Sequence, residues 1–112
     1  MDLTWSEFER TDMRVGTIIE VNDFPEARKP AFQLTIDFGS EIGIRKTSAQ
    51  ITKRYERSDL IGRQIVSVVN FPKKQIGKFM SECLVLGVYG EDAKDVTLLS
   101  PSLPAKNGLQ VG

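Results

Sequence analysis

The chain has 112 residues, of which 40% are hydrophobic and 27% charged, and its fifteen Lys and Arg balance fifteen Asp and Glu. That length and balance predict one soluble globular domain with a real core and exclude a disordered tail. A net charge of zero argues against a generic polyanion binder, which carries an excess of positive charge.

In chain order, Thr4-Trp5-Ser6-Glu7 fits a capping box and predicts a short helix from about Trp5 to Arg10, with Trp5 and Phe8 on one apolar face. Met13 to Val21 reads as a strand in which Met13, Val15, Thr17, Ile19 and Val21 share one face and Arg14, Gly16, Ile18 and Glu20 the other, with a bend or bulge at Gly16. Asn22 to Pro30 carries two prolines and predicts a loop. Phe32 to Phe38 alternates cleanly as a half-buried antiparallel strand. A turn at Gly39-Ser40-Glu41 leads into a hairpin partner over Ile42 to Thr47, with Ile42 and Ile44 inward. Ile51 and Tyr55, four apart, predict a short helix within Ser48 to Asp59, closed by a glycine turn at Gly62. Gln64 to Asn70 is the next strand, Lys73 to Met80 a basic loop, Glu82 to Tyr89 another strand, and Val96 to Leu99 a short β-prone stretch. The last dozen residues are expected to be extended. Five strands with a helix between the third and fourth predict an all-β fold, in the order expected of a Greek-key barrel of the OB type, with other small barrels sharing that order.

No histidine is present, which removes every His-dependent triad and the commonest zinc ligand. The lone Cys83 sits in an apolar strand pattern and reads as a buried structural thiol; alone, it cannot form an internal disulfide, as suits a reducing compartment. Glu91 and Asp92 lie beside Gly90 in a turn, without apolar surroundings to raise a pKa. No Walker loop, dinucleotide fingerprint or calcium loop occurs, so neither cofactor nor metal is expected, and the chain is read as a non-enzyme. No apolar run approaches membrane-spanning length, and the first residues lack a signal-peptide pattern, so membrane insertion is not expected and the cytoplasm is the expected compartment.

The zero total hides an uneven distribution. Residues 1–27 hold seven acids against Arg10 and Arg14, whereas residues 28–78 hold eleven bases against Asp37, Glu41, Glu56 and Asp59. A local basic groove therefore remains open to the fold.

Asp12-Met13-Arg14-Val15-Gly16-Thr17-Ile18, Phe24-Pro25-Glu26-Ala27-Arg28-Lys29-Pro30-Ala31-Phe32 and Ile36-Asp37-Phe38-Gly39 resemble the opening of the tRNA-binding domain found free or appended to some aminoacyl-tRNA synthetases. Ser48-Ala49-Gln50-Ile51-Thr52, Val68-Val69-Asn70-Phe71-Pro72 and Ser81-Glu82-Cys83-Leu84-Val85-Leu86-Gly87 continue the resemblance in order. The variants Arg-Lys-Pro-Ala, Ser-Ala-Gln-Ile-Thr and Asn-Phe-Pro-Lys-Lys-Gln-Ile look most like its export-chaperone branch, the CsaA type. The resemblance implies one OB domain over residues 1–112, with its core from about residue 8, working as a homodimer. It implies unfolded or export-bound polypeptides and the translocation ATPase SecA as partners, with tRNA as the ligand of the broader family. By the same resemblance, Asn70, Ser81 and Glu82 match a ligand-facing loop, which makes Lys73, Lys74 and Lys78 candidate contacts.

Two readings follow. A polypeptide binder would use apolar surface rimmed by the basic segment, with Trp5, Phe8, Phe24, Phe71, Phe79 and Met80 as candidates, since aromatics and Met adapt to varied apolar side chains. A structure-directed tRNA binder would use the basic loop and lose affinity steeply with salt. An interaction subunit with one specific protein partner is compatible with the same residues.

Overall fold

A computed structural model describes residues 1–112. Its elements are α1 (Trp5–Glu9), β1 (Met13–Asp23), β2 (Phe32–Asp37), α2 (Gly39–Ile42), β3 (Ile44–Ala49), α3 (Arg57–Leu60), β4 (Gln64–Val68), β5 (Lys74–Ile76), β6 (Phe79–Ser81), β7 (Leu84–Val85), β8 (Gly87–Tyr89) and β9 (Val96–Leu98). Five strands form an antiparallel sheet in the order β3-β2-β1-β4-β7, curled into a nearly closed barrel, while β5–β6 and β8–β9 form separate hairpins. This is the expected OB-type barrel, with α3 between β3 and β4. No helix is long and apolar enough to cross a membrane.

The long β1 organises the barrel. Its first half pairs with β4, from Met13 opposite Val68 to Thr17 opposite Gln64, and its second half with β2, from Thr17 opposite Asp37 to Asp23 opposite Phe32. A bulge leaves Ile19 without a partner between the Ile18–Ile36 and Glu20–Thr35 pairs. The extra residue shifts the phase of the strand, so Ile18 and Val21 both enter the core while Ile19 faces out. This corrects the uninterrupted alternation expected from the sequence, which put Ile19 on the same face as Val21 and Ile18 on the other, and it moves the bulge away from Gly16. Gly16 has a different role: a Cβ there would lie 2.6 Å from Ile36 Cγ2 and 2.7 Å from Phe38 Cδ1, so the core packs directly on its backbone.

Phe32, Leu34, Ile36 and Phe38 line the interior as expected, joined by Ile65 from β4 and Leu60 from α3. The predicted turn after β2 is the helical turn α2, bounded by Gly39 and Gly43, both at positive φ. Ile42 packs on the core, but Ile44 is 61% exposed because it pairs with the outward-facing Asp37. Ile51 and Tyr55 also pack as expected, from turns rather than from one helix; the helix is the shorter α3, where Asp59 Oδ2 accepts from the Glu56 N–H at 2.8 Å. The Tyr55 hydroxyl accepts from the Leu98 N–H at 3.0 Å.

Two further corrections concern the second half. Lys73 to Met80 is not a loop: β5 and β6 pair across a turn at Gly77, whose φ is +61°. Glu82 to Tyr89 is not one strand, because the chain passes from β4 to β9 at Leu86, whose N–H donates to Val66 C=O and whose C=O accepts from Leu99 N–H. The C-terminal segment is extended, as expected, and lies along β1. Val15 N–H donates to Leu109 C=O (3.0 Å), Gly108 N–H to Val15 C=O (2.8 Å) and Val111 N–H to Met13 C=O (2.9 Å).

Gly16→Ala is expected to lower unfolding free energy by about 1–3 kcal/mol through overpacking. Gly112→Ala, which meets no atom within 4 Å, is expected to change it by less than about 0.5 kcal/mol. Urea denaturation of both variants checks the difference. Asn70 also holds the fold: its Oδ1 accepts from Asp12 N–H (3.0 Å) and its Nδ2 donates to Arg10 C=O (2.6 Å), tying the link between α1 and β1 to the end of β4. Asn70→Ala should cost about 1–2 kcal/mol by the same measurement.

Candidate ligand-binding surface

An OB barrel presents ligands with its second and third strands and with the loops between strands one and two and between strands four and five. Here those loops are residues 24–31, between β1 and β2, and residues 69–83, which contain the β5–β6 hairpin. Phe24 from the first meets Phe79 from the second, with ring centroids 5.3 Å apart and planes tilted by 56°. The contact fastens the hairpin to the β1–β2 loop.

The six residues matched to a ligand-facing loop divide by their partners. Asn70, Ser81 and Glu82 are engaged within the fold. Ser81 Oγ lies 3.0 Å from Thr47 Oγ1, and Glu82 Oε1 accepts from Lys46 N–H at 3.0 Å. Lys73 reaches the other oxygen of Glu82 at 3.4 Å but is largely exposed, so that pair contributes little to stability. Lys74 on β5 and Lys78 beside the hairpin turn are exposed.

The six apolar candidates fall in separate places. Trp5 and Phe8 form an edge-to-face pair on α1 with centroids 6.5 Å apart, and Trp5 is 79% exposed. Phe71 lies in a shallow hollow shared with Leu3 and Val68, on the terminal side of the barrel. Met80 is exposed on β6. Phe24 departs from the expectation of an accessible surface: at 5% exposure it is interior, against Phe79. Residues close in sequence to a basic loop therefore serve different faces.

A groove of about 520 Å³ lies between the end of β3 and the strand that follows the hairpin. Ile51, Ile76, Tyr89, Val96 and Leu98 give it an apolar lining, and Lys74 stands on its rim. Tyr89 is 75% exposed. Sequence reading missed Ile51, Ile76, Tyr89 and Val96 as site residues; the available signal was an aromatic at the end of a strand, beside the Gly90-Glu91-Asp92 turn, with no inward position to fill. At Gln50 the groove adjoins a smaller pocket of about 180 Å³ lined by Lys29, Pro30, Thr52, Lys53 and Lys94. Three lysines from three loops converge there.

Two ion pairs hold one wall. Lys53 Nζ lies 3.6 Å from Asp92 Oδ2, and the Arg54 guanidinium contacts both carboxylate oxygens of Asp95. The hydrogen bond from Arg54 holds the Asp95 carboxyl below the usual carboxylate range and raises the guanidinium's own pKa. The backbone hydrogen bond from Lys94 lowers Asp92 similarly. Cys83 lines the groove but is buried, and burial pushes its thiol up, with a hydrogen bond to Ser67 acting the other way. A thiol so placed is a poor nucleophile. The arrangement is one of apolar surface, open backbone and cations, suited to holding a chain or an anion.

Comparison with known proteins agrees with this architecture. The family described as "Putative tRNA binding domain" matches residues 13–110. Among curated relatives, the methionine–tRNA ligases of Thermococcus kodakarensis and Pyrococcus furiosus are 32% and 33% identical over 109 residues, covering 97% of this chain. The chain spans 14% of the length of each ligase. Among solved structures, the chaperone CsaA of Bacillus anthracis str. Ames is 48% identical with a TM-score of 0.93, covering all of both chains. The CsaA chaperone protein of Picrophilus torridus is 46% identical with a TM-score of 0.91, covering 99% of this chain and 100% of the other. A MetRS-related protein from Pyrococcus horikoshii superimposes over the whole of both chains at 25% identity, with a TM-score of 0.86. With nearly every residue from β1 to the C-terminal segment matched, the chain belongs to the tRNA-binding-domain family.

Proposed function

We propose that this chain is a polypeptide-binding chaperone of the CsaA type, acting in the cytoplasm as a homodimer on unfolded or export-bound polypeptides, with the SecA translocation ATPase as a partner. The observation that carries the reading is the 48% identity with a chaperone CsaA over the full length of both chains. The groove supports it physically: an apolar, partly open concavity bordered by Lys74 accepts varied side chains without a fixed register. Suppressed aggregation of reduced α-lactalbumin is the expected activity. Tyr89→Ala and Ile76→Ala are expected to weaken polypeptide binding several-fold, measured by fluorescence anisotropy. Unchanged affinity in both variants would place the clients elsewhere.

The second reading, tRNA binding, is favoured by the convergence of Lys29, Lys53 and Lys94 and by the family itself. It predicts that tRNA affinity falls more than about tenfold between 50 and 200 mM salt, and that changing Lys73, Lys74 and Lys78 together to Ala flattens the slope. Polypeptide binding through apolar contacts should change little over the same range. One titration series with both ligands separates the readings.

Homodimerisation rests on the terminal face. Leu3, Trp5 and Phe8 border a hollow of about 400 Å³ that reaches Gly112, and Leu3 and Trp5 are both exposed in the single chain. Sedimentation at micromolar concentration is expected to give a dimer. Leu3→Asp combined with Trp5→Asp is expected to give a monomer with unchanged far-UV circular dichroism; a variant that remains dimeric would locate the interface elsewhere.

A further inference from the structure

The two edges of the five-stranded sheet, β3 and β7, are fastened at one end of their seam. Glu82 N–H donates to Lys46 C=O (2.8 Å), the Glu82 carboxylate accepts from Lys46 N–H (3.0 Å), and the Thr47 hydroxyl donates to Cys83 C=O (2.7 Å). Beyond Thr47 the edges bound the 520 Å³ groove, with residues 48–51 on one bank and 84–87 on the other.

Bonds already described fix where the backbone groups on each bank point. Along a strand, successive residues direct their N–H and C=O to opposite edges. Lys46 turns both groups to Glu82, away from β2, so Ser48, two residues on, turns its own the same way and into the groove. On the other bank, Leu86 N–H donates to Val66 C=O (2.9 Å) and Leu86 C=O accepts from Leu99 N–H (3.1 Å). Its neighbours Val85 and Gly87 therefore face the opposite way, again into the groove. The result is a slot with strand donors and acceptors turned into it from both sides; the Ser48 C=O lies 3.2 Å from the Thr47 hydroxyl, whose one proton goes to Cys83 C=O at 2.7 Å.

Charge specifies the occupant further. Lys74 lines the slot, and the end marked by Gln50 opens on Lys29, Lys53 and Lys94. Lys53 is paired with Asp92, whereas Lys29, Lys74 and Lys94 take part in none of the chain's five ion pairs.

We infer that this slot takes an extended polypeptide segment as an added strand, with apolar side chains against Ile76, Tyr89 and Val96 and an acidic residue at the Lys29–Lys94 end. The inference rests on the polypeptide-binding reading and supplies its mode of recognition. Main-chain hydrogen bonds provide affinity that does not depend on sequence, while the lining and the lysines select apolar, acid-terminated segments.

The test uses a fluorescein-labelled eight-residue peptide of alternating Val and Ser ending in two Glu, and the same peptide N-methylated at its Val residues. N-methylation is expected to weaken binding at least about tenfold. The unmodified peptide is expected to slow amide exchange at Ser48, Val85 and Gly87. Lys29→Glu combined with Lys94→Glu should weaken the Glu-terminated peptide while sparing a Gln-terminated one. Equal binding of the N-methylated peptide, or binding without protection of those amides, overturns strand addition and leaves the chaperone reading standing. Absence of binding by both the peptide and reduced α-lactalbumin overturns the two together. Protection of the same amides by a single-stranded RNA oligonucleotide and not by the peptide assigns the slot to nucleic acid and overturns the inference.

Discussion

At the barrel seam one carboxylate, one hydroxyl and a single backbone bond, from Glu82 N–H to Lys46 C=O, do what a backbone ladder does everywhere else in the sheet. Glu82 closes β3 with one oxygen on Lys46 N–H and offers the other to Lys73, and Thr47 bonds Cys83 C=O; behind the seam, within the β4–β7 pair, Ser67 Oγ donates to Leu84 C=O at 2.9 Å. Thr47 and Ser67 are fully buried, and no buried side-chain polar atom lacks a partner. Side-chain closure is local, so the seam can be tight at one end and open at the other. A continuous ladder would have sealed the barrel and removed the groove.

From that fastening point the β5–β6 hairpin projects, and Phe24–Phe79 steadies it from the opposite side. The β8–β9 connection is held differently, by the Lys53–Asp92 and Arg54–Asp95 pairs. Solvent-screened pairs of this kind contribute far less than the buried aliphatic core. The groove therefore has one wall built on the sheet and another held by weak surface charges, a division that lets its width vary while the barrel stays fixed.

The sequence made the barrel legible wherever one face of a strand is buried. Phe32 to Phe38 alternates because every second residue enters the core, and the Thr4–Glu7 capping box declares α1 by local chemistry alone. Reading failed where tertiary contact decides. The bulge at Ile19 has no residue-type signature, since Ile18 and Ile19 are the same side chain with opposite fates. The hairpin at Gly77 was hidden by lysines that look like a loop. The site was less legible than the fold: the basic cluster Lys73, Lys74 and Lys78 is contiguous in sequence, but Lys29, Lys53 and Lys94 are brought together by three separate connections. Phe24 read as accessible surface because nothing near it in sequence identifies Phe79 as its cover.

The pairing of β1 with the last residues has a consequence for vectorial synthesis. Arg14 Nη1 donates to Gly108 C=O across 94 positions, and both backbone groups of Val15 are satisfied by Gly108 and Leu109. While the chain is being made, one edge of its first strand waits with its donors and acceptors uncovered until residues 108–111 have left the ribosome. That docking step comes after the rest of the barrel has been synthesised, and a nascent chain arrested shortly before Gly108 carries the strand edge that the folded domain conceals.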